Sequence, residues 1–77
     1  MLCYDTAERI VAMPRCKAEV EERFSCCVLM RTSEGSRIWI GSPATTPEVL
    51  RFLPTLEDGQ TYMLPDAFLD WQKKQQP

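Results

Sequence analysis

The strongest constraint in this chain is a pair of β-forming runs that face each other across a short polar break. Phe24 to Thr32 and Arg37 to Ile40 are dominated by aliphatic, aromatic and β-branched residues, with Ser33-Glu34-Gly35-Ser36 between them. Gly35 supplies the residue without a Cβ that a tight hairpin turn needs where φ is positive. Together these features predict an antiparallel hairpin. With Glu34-Gly35 as a two-residue loop, Met30 falls opposite Trp39 and Leu29 opposite Ile40. Side-chain alternation then sets Cys26, Val28, Met30 and Trp39 on one face and Cys27, Leu29, Ile38 and Ile40 on the other, which Arg31 joins. Both faces come out apolar. Such a ribbon calls for cover on both sides, in a small closed barrel or in a sheet between a helix and a partner.

The flanking segments complete the expected fold. Arg9 to Met13 reads as a short strand stopped by Pro14. Cys16 to Arg23 carries two patterns. The alternation of Lys17, Glu19, Glu21 and Arg23 fits a strand with one wet face, whereas the spacing of Cys16, Val20 and Phe24 fits a helix. A strand running into the hairpin is the preferred reading. Thr46 has the character of an N-cap, with Pro47 at the first helical position and Glu48 in the first turn. Pro54 must end that helix near Phe52 or Leu53. Gln60 to Leu64 reads as a strand after a Glu57-Asp58-Gly59 turn. Leu64, Ala67, Phe68 and Trp71 share one helical face of a C-terminal helix, with Asp66 and Asp70 towards its start and Lys73 and Lys74 at its end. The expectation is an α+β protein, a single compact domain over residues 1–77. It has a small, mainly antiparallel sheet, open or barrel-like, a short central helix and a C-terminal helix.

Size and charge limit what such a domain can do. A chain of 77 residues buries a modest core, so association would help it. The net charge of −2 argues against a strongly basic nucleic-acid binder. Leu2 to Asp5 form neither a basic start nor the beginning of an apolar signal region, and the longest apolar run, Cys26 to Met30, is far too short to span a membrane. A cytoplasmic protein without membrane attachment is expected.

Each candidate chemistry meets a specific obstacle. Cys3, Cys16, Cys26 and Cys27 lack the paired knuckle spacing of a structural zinc site, and there is no His to substitute. Their expected state is reduced and metal-free, as small apolar side chains. The absence of His also removes Ser-His and Cys-His pairs and the commonest base near neutral pH. Gly35, Gly41 and Gly59 are too scattered to cradle a phosphate. No catalytic residue, metal ligand or cofactor site is therefore assigned, and the protein is read as not an enzyme.

Two binding readings remain, with a third based on the thiols. Trp39 flanked by Arg31 and Arg37, extended by Arg23, Arg15 and Lys17, is a faint version of the aromatic-and-basic surface of single-stranded nucleic-acid binders. Glu19, Glu21, Glu22 and Glu34 interleave with those cations and weaken any attraction to phosphate. Protein interaction or self-association is preferred: Trp and Arg are favoured at binding hot spots, and Arg31, Arg37 and Trp39 are the expected contact residues. The alternatives are a nucleic-acid-binding small β-barrel and a metal or redox protein using the cysteines.

Overall fold

The computed structural model describes residues 2–76. Its elements run β1 (Leu2–Tyr4), α1 (Ala7–Ala12), β2 (Cys16–Arg23), β3 (Cys27–Thr32), β4 (Arg37–Gly41), α2 (Pro47–Phe52), a 3-10 turn (Leu53–Thr55), β5 (Thr61–Leu64) and α3 (Asp66–Gln75). The strands form one five-stranded sheet in the order β1-β4-β3-β2-β5. Only the β1–β4 pair is parallel; the other three pairs are antiparallel. The α+β class, the short central helix and the C-terminal helix are all present, and the sheet is open rather than a barrel. Among the described residues, no helix is long and apolar enough to cross a membrane.

The hairpin forms, but one residue out of the expected register. Arg31 pairs with Arg37, Met30 with Ile38, Leu29 with Trp39 and Val28 with Ile40. The loop has three residues, Ser33 to Gly35, closed by Thr32 N–H donating to Ser36 O at 2.7 Å and Gly35 N–H donating to Thr32 O at 2.9 Å. Gly35 takes φ +88°, so the loop is a turn followed by a left-handed glycine bulge. Adding one residue to the loop transfers every side chain of one strand to the opposite face. Val28, Met30, Ile38 and Ile40 now share one face and are all buried. Leu29, Arg31, Arg37 and Trp39 share the other. The aliphatic side chains are thus concentrated on one face, and the other mixes Leu29 and Trp39 with two arginines.

The buried face carries the core. Ala18 and Val20 of β2 and Leu64 of β5 extend it, and Ile10, Val49, Phe52 and Phe68 bring all three helices onto it. Phe52 and Phe68 meet edge-on with ring centroids 5.0 Å apart, and the half-buried Trp71 lies beside both rings. Burying a side chain of this size is worth about 1.5–3 kcal/mol, so these few residues dominate stability. Leu64, expected on the C-terminal helix face, belongs to β5 and reaches the same core from the sheet.

The largest departure is at the N-terminus. Residues 9–13, expected as a strand, lie in α1 and its C-cap, and the first strand is Leu2–Tyr4. Thr6 explains the difference: its Oγ1 accepts from Arg9 N–H at 3.1 Å, a side-chain N-cap that starts the helix. Ile10 and Met13 then fall three residues apart and both are buried. Asp5 fixes the junction. Its carboxylate pairs with Arg9 at 3.0 Å and accepts from Ser42 Oγ at 3.0 Å. Its carbonyl accepts from Thr45 Oγ1 and from Thr46 N–H. Thr46 sits at the expected N-cap of α2, yet its Oγ1 is buried without a hydrogen-bond partner, so Pro47 and packing start that helix.

Candidate interaction face

Because all three helices pack on one side, the opposite side of the sheet is the open face, and strand alternation decides what it presents. It displays Cys3, Arg37, Trp39, Cys27, Leu29 and Arg31, continues over Lys17, Glu19, Glu21 and Glu22, and ends at Met63. The structure thus brings the three expected contact residues, Arg31, Arg37 and Trp39, onto one surface. Arg31 and Arg37 are direct partners across β3 and β4, and Trp39 is opposite Leu29.

The two guanidinium groups converge on a single carboxylate. Arg37 Nε lies 3.0 Å from Glu21 Oε2, and Arg31 Nε lies 3.6 Å from Oε1. Glu21 occupies a β-bulge, where the β2–β3 register shifts between Val20 and Glu22. The extra residue increases the bend and puts two successive glutamates opposite the hairpin. The arginine side chains remain 52% and 57% exposed while that of Glu21 is 20% exposed. One carboxylate therefore orients two cations that keep part of their donor set turned outward, an arrangement suited to forked hydrogen bonds with another carboxylate or with backbone carbonyls.

Beside this cluster runs an aromatic strip. The Phe24 and Trp39 rings are 5.4 Å apart and tilted by 49°. Phe24 is 43% exposed. It lies outside β3, in the connection from β2, where its N–H donates to Cys27 O at 2.9 Å. Sequence reasoning missed it by counting it as the first residue of a strand. The signal was present in the next two residues, Ser25 and Cys26, which turn rather than extend.

Two cations proposed to enlarge a nucleic-acid surface point elsewhere. Arg23 donates through Nη1 to Leu53 O at 3.1 Å, through Nη2 to Leu56 O and through Nε to Asp58 at 3.3 Å. It clamps the turn that follows α2. Arg15 pairs with Asp66 at the start of α3, at 2.9 Å. What remains on the face is an alternating field of Lys17, Glu19, Glu21, Glu22, Arg31 and Arg37, with no net charge.

Three of the four cysteine thiols are pushed towards their protonated form. Burial raises the pKa of Cys3, Cys16 and Cys27, reinforced by the negative charge of Asp5 at Cys3 and of Glu34 at Cys16, and by Cys26 at Cys27. Cys3 Sγ donates to Gly41 O at 3.3 Å. A thiol held in its protonated form is a poor nucleophile and a poor metal ligand. Among the described residues, no three His, Cys, Asp or Glu side chains are grouped to hold a metal ion. No family model, no curated protein and no solved structure matches this chain.

Proposed function

We propose that the chain is a small, non-enzymatic protein-interaction module that meets its partner through the open sheet face around Arg31, Arg37 and Trp39. One observation carries this reading. A sheet covered by every helix on one side keeps, on the other, a half-buried Trp39, an exposed Phe24 and two outward guanidiniums held by Glu21. Aromatic and arginine side chains in one patch are the composition of binding hot spots. The mixed charge of the face favours a protein over a polyanion.

The test is quantitative cross-linking in native extract with three forms of the protein. Wild type and Val11→Lys, altered on the exposed side of α1, should capture the same partner. Arg31→Gln with Arg37→Gln should lose it while keeping the wild-type circular dichroism spectrum. Capture unaffected by the double change would refute the reading. So would salt-sensitive binding to a random single-stranded oligonucleotide in place of a protein.

A further inference from the structure

Phe24 also borders a second surface. A groove of about 560 Å³ opens between the turn after β2 and the segment from α2 to Asp58. Its floor is Leu53 and Leu56, both buried, and its apolar rim is Phe24 at 43% and Leu50 at 41% exposure. Two of the large apolar side chains most exposed in the structure therefore border one depression. Its charge is one-sided. Arg23 is the only lining cation, and its guanidinium is engaged by Leu53 O, Leu56 O and Asp58. Glu57 also lines the groove, and among the described residues its carboxylate forms no ion pair. The result is an apolar trough with an uncompensated acidic lip.

We infer that this groove receives a large aliphatic or aromatic side chain from a partner segment that carries a Lys or Arg beside it. The inference rests on the protein-interaction reading above and extends it, because the Phe24–Trp39 contact joins the groove to the open face. The apolar anchor removes Phe24, Leu50 and the floor leucines from water, and the neighbouring cation answers Glu57. Arg31 and Arg37 lie at the far end of the hairpin and contact a different part of the same partner.

The experiment selects a displayed library of short random peptides on the immobilised full chain. The most enriched sequence is then synthesised and titrated against variants. Enriched sequences should pair a large apolar residue with an adjacent Lys or Arg. Leu50→Glu and Glu57→Lys, both solvent-exposed positions, should each weaken that peptide roughly tenfold, about 1.4 kcal/mol. Arg31→Gln with Arg37→Gln should leave it within about twofold, a shift well under 1 kcal/mol. Enrichment of acidic sequences, no enrichment, or insensitivity to both groove variants overturns the inference. If binding then responds to Arg31 and Arg37, the open-face reading stands without the groove; if it responds to neither pair, both fail. A dimer that Leu50→Glu converts to monomer, with no peptide selected, makes the occupant a second copy and also overturns the inference.

Discussion

The two faces of the sheet are built by the same strands with the same two-residue period, yet one is sealed and the other is open. On the helical side Val28, Met30, Ile38 and Ile40 are sealed by Ile10, Val49, Phe52 and Phe68. On the open side the interleaved residues are Leu29, Trp39, Arg31 and Arg37, half-buried or exposed, and their ion pairs remain wet. A single loop residue decides which set is which, since a one-step slip of register exchanges the faces. Stability is concentrated on the first face, and the proposed recognition falls to the second. The contrast makes a substitution's face the best guide to whether it alters folding or binding.

The largest expected effect tests the sealed side. Phe68→Ala removes a fully buried ring that meets Phe52 edge-on and should cost about 3–5 kcal/mol. Total stability for a domain of this size is on the order of 4–12 kcal/mol, so urea titration should show a population close to unfolding. Trp39→Ala, on the half-buried side, should cost about half as much or less. Equal losses would show that the open face is core and would remove the basis for a contact surface there.

The seam between the faces gives the next effect. Gly41 ends β4 with φ +93°, and a Cβ there would lie 2.5 Å from Cys26 O and 3.1 Å from Cys27 Cα, both backbone atoms. Gly41→Ala should cost more than about 2 kcal/mol, from backbone strain combined with collision. Gly35→Ala has the same strain at φ +88° and no atom within 4 Å of the new Cβ, so it should cost about 1 kcal/mol. Matching chemical-denaturation midpoints for the two variants would contradict the close approach at Gly41.

Much of this contrast was legible in the residues, and the parts that were not have identifiable causes. Pro47 and Pro54 bounded α2, and the Phe68–Trp71 spacing marked α3, because proline geometry and helical period are local signals. Cys16–Arg23 favoured a strand because its charges alternate. Thr6 was overlooked: a side-chain cap works over three residues and leaves no apolar pattern, so Ile10 and Val11 suggested a strand. The hairpin register failed because Ser33-Glu34-Gly35-Ser36 accommodates both a two-residue and a three-residue loop. Only packing of Val28, Met30, Ile38 and Ile40 under the helices selects between them. Arg31, Arg37 and Trp39 were expected together, and alternation set Glu21 on the wet face of its strand; that Glu21 holds both arginines, and that a bulge turns Arg23 out of the alternation, was not encoded there. Nor were the partners of Arg23, which lie some thirty residues downstream.

A smaller effect comes from the thiols, which occupy both faces: Cys16 packs against the core, and Cys3 and Cys27 line the open side. Burial holds their protons to higher pH in the folded chain than in the unfolded one. The unfolded state therefore ionises first. Their contribution is fully present below the ordinary thiol value of 9.0 and declines as pH rises through it. Urea midpoints across that range should fall more steeply for wild type than for Cys3→Ser, Cys16→Ser, Cys27→Ser combined. Parallel curves would mean that these thiols titrate alike folded and unfolded.

The smallest expected change in stability accompanies the largest expected change in binding. Arg31 and Arg37 share Glu21, but both guanidiniums are more than half exposed, and exposed pairs contribute about 0–1 kcal/mol. Glutamine at both positions keeps much of the aliphatic stem over the sheet and removes the charge. The expected melting temperature is nearly unchanged, with a stability change below about 0.5 kcal/mol. Glu21→Gln provides the opposite perturbation: it leaves both cations in place without the carboxylate that orients them. An acidic partner that meets the guanidiniums should bind Arg31→Gln with Arg37→Gln weakly, and should bind Glu21→Gln as well as or better than wild type. Its dependence on salt should steepen in the second case, because an anion no longer screens the pair. Equal weakening by both changes would instead mean that the three residues act as a structural tie across the bulge. Recognition would then fall to Trp39 and Phe24 alone.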